Sequence, residues 1–346
     1  MSDHVIDVND TLGLYKRMIR RTCFSLALII LLTVSAAGLL GCIEDERATA
    51  RVGIVFEECG LEDAFNTLCF AGAQRAADEL GISTDYVIAP TAADFEALQR
   101  RYAASGDYAL IICTGANQAD ALMNVSADYP DQHFVLIDHA IAGRANVVSV
   151  VFRDDESSFL AGALAAMVTE TDNLGFVGGM DIPAINRFLA GYQAGARYIN
   201  PDCELMVSYA GSWSDPVSGK ELALAQYDAG ADIVFAAAGS SGDGVLAAAE
   251  EVGCYAIGVD IDQRYLAPDT VLVSVLKRTD VVIFALIKET VEGAFTGGVR
   301  SVGLQDEGVG ISLDNALPVV SADMKARIRE LDKKIISGEL AVPATV

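Results

Sequence analysis

From Arg51 onward the chain alternates short runs of consecutive apolar residues with amphipathic stretches of helical length. RVGIVF (51–56), YALIICT (108–114) and HFVLI (133–137) are apolar at nearly every position, so strands made from them need cover on both faces. Helical stretches at 63–80 and 92–104 separate such runs, and further strands are expected at 86–89 and 147–151. A parallel sheet meets the demand, because each crossover helix lies on a sheet face. The pattern therefore predicts an α/β architecture.

A second series of the same kind follows Phe152. Helices are expected at 158–168, 182–199, around 220–227, 244–252 and 280–295, with strands at 174–177, 204–209, 233–237, 255–259 and 271–275. With 346 residues the chain is long enough for two lobes, each burying its own core. No Gly/Ser- or Pro-rich linker divides the series, which places the boundary near 152–156. We expect a signal peptide at 1–41, an N-terminal lobe at 42–152, a C-terminal lobe at 153–279 and a ligand cleft between the lobes. Part of 280–346 is expected to return to the first lobe through a hinge of several strands. In open parallel sheets ligands bind beyond the carboxyl ends of the strands, which singles out Glu57, Glu58, Thr114, Asp138, Gly179, Ser240 and Asp260.

The N-terminus carries its own signal. Lys16, Arg17, Arg20 and Arg21 form a basic cluster, residues 23–40 are uncharged and mostly apolar, and Leu39-Leu40-Gly41-Cys42 follows. These are the parts of an export signal. The ending resembles the lipobox of lipoprotein precursors, which makes Cys42 the candidate lipidation site. The alternative is a retained transmembrane helix, since the run is just long enough to span a bilayer. Either reading puts the folded part on the extracytoplasmic face of the cell membrane.

The formal net charge is −24, and removal of 1–41, with three acids and four bases, would leave −25. Such acidity argues against a nucleic-acid partner, which would demand a basic face, and fits a solubility adaptation to salt. Beyond Cys42, cysteines 59, 69, 113, 203 and 254 are odd in number and lack CxxC spacing. They read as small apolar residues rather than a disulfide frame or metal site. His133 and His139 lie two apart on a strand that would alternate their faces, so neither a metal nor a cofactor is expected.

Seven segments carry a resemblance. They are GLEDAFN (60–66), SFLAG (158–162), GGMDIP (178–183), GSWSDP (211–216), GADIVF (230–235), AIGVDIDQ (256–263) and SVLK (274–277). In order and spacing over nearly all of 51–300 they resemble the basic membrane protein (BMP) family of nucleoside-binding lipoproteins, PnrA-like substrate-binding components of ABC transporters. The resemblance implies a type I periplasmic-binding-protein fold with two Rossmann-like lobes closing on a nucleoside, a purine in the first instance. It also implies ABC permease and ATPase partners and a monomeric, lipid-anchored binder. By that resemblance Phe65 looks like the ring that stacks on the base, with Asn66 beside it as a polar contact and Phe235 as the opposing ring. Asp260 and Lys277 look like the pair for the ribose hydroxyls, and Asp138 like a base-facing acid. The family usually carries Asp where this chain has Glu57 or Glu58.

The chemistry of these residue types is consistent with such a ligand. Aromatic rings and carboxylates suit the flat faces and donor edge of a base, and a carboxylate with an ammonium suits a cis-diol. Each candidate has a structural alternative: Asp260 and Lys277 as a plain ion pair, Phe65 as core, Asp138 as a turn cap. The GSSGDG loop (239–244) lacks a Walker lysine, and Asp243 would repel phosphate, so Ser240 and the loop amides read as close neighbours of a neutral ligand. Gly179 allows close backbone approach, while Trp213 reads as hinge packing. Competing functions are a sensor or receptor lobe, a binder of another solute such as a sugar, and a nucleoside-processing enzyme. For the last, neither a GxGxxG after the first strand nor a Ser/His/Asp constellation is present.

Overall fold

The computed structural model describes residues 49–345; the basic cluster, the apolar run and Cys42 lie outside the described residues. Strands β1 (Arg51–Phe56), β2 (Ser83–Ile88), β3 (Leu110–Cys113), β4 (Phe134–Ile137) and β5 (Val147–Phe152) join β11 (Gly298–Val302) in a parallel sheet of order β11-β5-β4-β3-β1-β2. Helices α1 (Ala64–Leu80), α2 (Phe95–Ser105) and α3 (Ala119–Asp128) connect its first four strands. The second sheet contains β6 (Asn173–Gly178), β7 (Glu204–Tyr209), β8 (Ile233–Ala237), β9 (Tyr255–Asp260), β10 (Val271–Lys277) and β12 (Val309–Ile311). Its order is β12-β10-β9-β8-β6-β7, and only β12 runs antiparallel to its neighbour. Helices α4 (Asp154–Val168), α5 (Pro183–Ile199), α6 (Pro216–Asp228), α7 (Ser241–Val252), α8 (Thr279–Val291) and α9 (Ala322–Ile336) complete the described chain.

The two sheets share one strand plan, so β4 corresponds to β9 and β5 to β10. Every residue of β3 and β4 is buried, as their unbroken apolar runs require. The edge strand β2 is half exposed, which explains why it begins at polar Ser83 rather than at 86 as expected. Helix α3 was not anticipated; only Ala119, Leu122, Val125 and Ser126 of its ten residues are buried, a short and weak stripe. Helix α4 starts at Asp154 instead of 158, because Asp154, Asp155 and Glu156 suit the positive end of a helix. Beyond 295 the pattern gave no elements; β11, β12 and α9 are new. The cysteines at 59, 69, 113, 203 and 254 are free.

The chain crosses between the sheets three times: after β5, after β10, and between β11 and β12. The first two crossings are alike. Arg153 (φ −84°, ψ 58°) and Arg278 (φ −89°, ψ 56°) share a conformation, and each guanidinium pairs with the Asp two residues on, Asp155 at 2.8 Å and Asp280 at 3.2 Å. The Arg153 N–H donates to the carbonyl of Val302 at 2.8 Å and the Arg278 N–H to that of Gly308 at 2.9 Å, tying all three crossings into one belt. Helix α8 returns to pack on α1, where Gly72 lies against the Asp280 carbonyl. Helices α4 and α5 approach still more closely: Gly191 meets the carbonyl of Asp155 and Gly195 that of Phe159, so a methyl group at either would strike backbone. One apolar core runs from the first sheet through α4 to the second, and two smaller clusters fill the far faces.

Candidate functional site

The carboxyl ends of both sheets converge on one cavity. From the first half it is lined by Glu57 after β1, Asp63 and Phe65 at the start of α1, Gly115 after β3 and Asp138 after β4. From the second come Phe188 of α5, Trp213, Gly239 after β8, Asp260 at the end of β9 and Lys277 at the end of β10.

Lys277 is the centre of charge. Its side chain is 2 % exposed, and the ammonium donates to Asp138 at 2.7 Å and to Asp154 at 3.3 Å, with the rings of Phe65, Phe152 and Phe188 at 5.6, 5.1 and 5.1 Å. Burial alone would lower its pKa, but Asp138, Asp154 and Asp260 outweigh that and hold it above the ordinary lysine value. An ammonium has three donors, so one remains after these two bonds.

Asp138 (φ 74°) and Asp260 (φ 65°) occupy corresponding positions in the two halves, both in the left-handed region. Aspartate tolerates that conformation better than most residues, and strained backbone concentrates at working sites. Glu57 fits where Gly115 leaves no side chain; a methyl group there would collide with its carboxyl. One carboxylate oxygen of Glu57, one of Asp138 and the indole nitrogen of Trp213 are buried without a partner among the described residues. Unpaired buried polar atoms are costly, and here two acceptors and one donor share a single cavity.

Carboxyls outnumber the ammonium, and their acidities reflect it. Burial, then the charges of Glu58, Asp138 and Asp63, pushes Glu57 up to about 8. Burial pushes Asp260 up to about 8 despite the opposing pull of Lys277. Burial raises Asp154 to about 6, again against Lys277. Carboxyls opened to water titrate near 4 (~4), so the enclosed cavity takes up protons relative to an opened one. The contribution of Glu57 and Asp260 to closure is thus fully present below about pH 4 and lost as pH rises through about 8. We expect the radius of gyration of the unliganded protein, by X-ray scattering, to grow between about pH 5 and about pH 9. A double variant Glu57→Gln, Asp260→Asn should flatten that dependence, and the same growth in both proteins would refute the assignment.

Residues 50–345 match the family model Bmp, described as "ABC transporter substrate-binding protein PnrA-like". The chain belongs to this family. It is 32% identical to the CD4+ T-cell-stimulating antigen of Listeria innocua, over 94% of this chain and 99% of the relative. It is also 32% identical to the ABC transporter nucleoside-binding protein BmpA of Lactococcus lactis, over 95% of this chain and 99% of that one. Among solved structures, an ABC transporter solute-binding protein from Aeropyrum pernix K1 is similar at a TM-score of 0.77 and 31% identity, covering 85% of this chain and 94% of that one. The expected family and the type I periplasmic-binding-protein fold both stand, and the Bmp chain is a substrate-binding component of an ABC transporter.

Within this Bmp fold the anticipated site residues separate. Glu57, Phe65, Asp138, Asp260 and Lys277 line the cavity. Phe235 does not: it is fully buried on β8, edge-on to Phe176, Phe188 and Tyr192 at 5.5, 6.1 and 5.3 Å. The second phenyl ring in the cavity lining is that of Phe188, from a helix the sequence pattern identified without marking that position. Asn66 is also fully buried; its amide donates to the Gly60 carbonyl at 2.9 Å and accepts from Thr114 at 3.1 Å, so it pins the loop. Gly179 is covered by the Trp213 indole, whose ring would meet any side chain there. Trp213 therefore lines the cavity rather than packing a hinge. Ser240 stands outside the inner cavity, in a groove shared with Thr67 and Gln263. Asp260 and Lys277 are neighbours but not an ion pair, since Lys277 is bonded to Asp138 and Asp154. Asp154 was missed; its signal was an Asp-Asp-Glu run one residue beyond an apolar strand, read only as a boundary.

Proposed function

We propose that this chain is the exported, extracytoplasmic binding component of a nucleoside importer, anchored to the membrane through Cys42 and working as a monomer with ABC permease and ATPase partners. The observation that carries the ligand is the pairing of two flat rings, Phe65 and Phe188, with unpartnered acceptors in one cavity. Rings of that kind suit the faces of a base, and Glu57 and Asp138 suit its N–H edge. Asp260 and the spare donor of Lys277 suit a ribose, the first accepting from hydroxyls and the second donating to them. The surplus of carboxyls also sets a limit. A phosphate would add like charge to an already acidic enclosure, so nucleosides rather than nucleotides are the cargo class. Lobe closure then buries the ligand and gives the permease a form distinct from the empty one. The Lactococcus relative's name, a nucleoside-binding protein, supports the same ligand class.

Equilibrium binding to a panel of nucleosides, free bases, nucleotides and sugars tests the proposal. Purine nucleosides should bind at micromolar concentrations or below, about 100-fold or more tighter than their monophosphates. Asp260→Ala should weaken nucleosides by about 10-fold or more while leaving free bases nearly unchanged, because only the former carry a ribose. Affinity no better than millimolar for every nucleoside would remove the ligand assignment, and equal losses for nucleosides and bases would remove the ribose role.

A further inference from the structure

A second groove borders the cavity. Gly239, Val259 and Asp260 line both, so Asp260 stands where the two spaces adjoin. One wall of the groove comes from the segment leading into α1, with Glu62, and the other from the first turn of α7 and the loop after β9, with Asp243 and Gln263.

Two deeply buried side chains in this lining are short of partners. Asp260 is 7 % exposed, and Lys277 gives its bonds to Asp138 and Asp154, so the Asp260 carboxylate has neither a hydrogen bond nor an ion pair among the described residues. Gln263 is 4 % exposed, and its backbone N–H is held by the Ser274 hydroxyl at 3.0 Å. Its Oε1 accepts the Val259 N–H at 2.9 Å, which fixes how the amide is turned and leaves the Nε2 donor without a partner among the described residues. Buried polar groups are costly when unpaired, so an acceptor and a donor lacking partners in one groove call for a ligand that supplies both.

The charge of the groove has one sign. Glu62 and Asp243 add exposed carboxylates to that of Asp260, and no lysine or arginine lines it. Arg264, in the same loop as Gln263, is turned elsewhere: it donates to the carbonyls of Asn315 at 2.8 Å and Pro268 at 3.1 Å. Tyr265 and Leu266, 67 % and 42 % exposed, form an apolar rim. An ammonium on a short carbon stem suits these walls, its charge toward the carboxylates and its stem along the rim, while an ether or hydroxyl oxygen on the stem accepts from Gln263.

We propose that this groove is a second subsite, which takes a cationic, amine-bearing substituent on the sugar of a nucleoside seated in the inner cavity. The nucleoside part rests on the function proposed above, whereas the preference for an amine rests on the groove alone. Glu62 and Asp243 are specificity-determining residues in this role: they attract an ammonium, disfavour an anionic substituent and have no part in holding the base.

The test compares adenosine with derivatives that carry an aminoethyl ether on one ribose hydroxyl at a time, each matched by its neutral hydroxyethyl ether. At one position the aminoethyl ether should bind about 10-fold or more tighter than its neutral match, and the ratio should shrink as salt is added. The double variant Glu62→Gln, Asp243→Asn should cut that ratio to about 3-fold or less and leave adenosine affinity within about 2-fold of the parent. If adenosine binds and no position shows a preference for the amine, the subsite is overturned. A preference that survives the double variant undiminished would overturn the role of its two acids. Should adenosine itself fail to bind, the groove is still read directly: the side-chain amide signal of Gln263 in a heteronuclear NMR spectrum should move with ethanolamine and not with glycolate. Movement of that kind would keep the amine site while the nucleoside reading falls, and no movement with either would overturn the site as well.

Discussion

Lys277→Met is expected to be the most damaging single change in the second half of the molecule. The substitution keeps the chain's length and apolar stem but removes the one ammonium among Asp138, Asp154 and Asp260. Removing one partner of a buried pair leaves uncompensated charge, at a cost of about 3–5 kcal/mol. The loss should depend on pH in a definite sense. Without the ammonium, the carboxyl of Asp154, already raised by burial, rises further, so at about pH 5 it is protonated and much of the penalty is relieved. At about pH 8 it must either ionise unpaired or hold its proton against the solvent, and the full cost is felt. Thermal unfolding of the variant and the parent at the two pH values measures this directly. A destabilisation of equal size at both would mean that the ammonium's charge is not what holds the site. Lys277→Arg is not expected to rescue it, because a planar guanidinium is larger than an ammonium and the site is closed by three phenyl rings.

The architecture was legible in the sequence because parallel strands covered on both faces leave an unmistakable trace. RVGIVF, IVFAA and their counterparts have no polar face to place in water, and the structure puts them inside the sheets, between two neighbouring strands. What blurred was the periphery. Edge strands such as β2 alternate or carry polar residues, and short helices such as α3 expose most of their surface, so the apolar signal thins. The hinge was legible only in part, since Arg153 and Arg278 are charged residues outside the core whose shared conformation is invisible in one dimension.

The site divided along a similar line. Acids that end strands, Asp138 and Asp260, were found because strand ends aim at the cleft in this class of sheet. Lys277 ends β10, two residues past the strand expected at 271–275, and entered through the family resemblance alone. Partnership was another matter. The family resemblance set Lys277 beside Asp260, whereas the fold brings Asp154 across from the first crossing, 123 residues away, to share the ammonium with Asp138. The shared strand plan also explains a coincidence of chemistry. The position of Lys277 at the end of β10 corresponds to Phe152 at the end of β5, so one half supplies the cation and the other a ring beside it. Position along a strand tells where a side chain begins but not which way it turns, and Phe235, which the resemblance offered as the opposing ring, turns into the core.

That last point yields a matched pair of substitutions. Phe188 and Phe235 are both buried aromatic residues whose rings meet edge-on at 6.1 Å, but only Phe188 lines the cavity. Phe188→Leu and Phe235→Leu remove similar core volume, so each should destabilise the fold by about 1–2 kcal/mol, the range of modest core replacements. Their effects on binding should part. A leucine at 188 keeps apolar contact but loses the flat face, and base–aromatic stacking is worth about 1–3 kcal/mol, so nucleoside affinity should fall by about 10-fold or more. A leucine at 235 touches only Phe176, Phe188, Tyr192 and their neighbours, and affinity should stay within about 3-fold of the parent. Phe65→Leu provides the control from the opposite half and should resemble Phe188→Leu in binding while disturbing stability less, since Phe65 is only partly buried. If calorimetric titration with the best nucleoside found Phe235→Leu as weak as Phe188→Leu, the loss would be traced to core packing behind the cavity, and the two-ring reading of the site would fall.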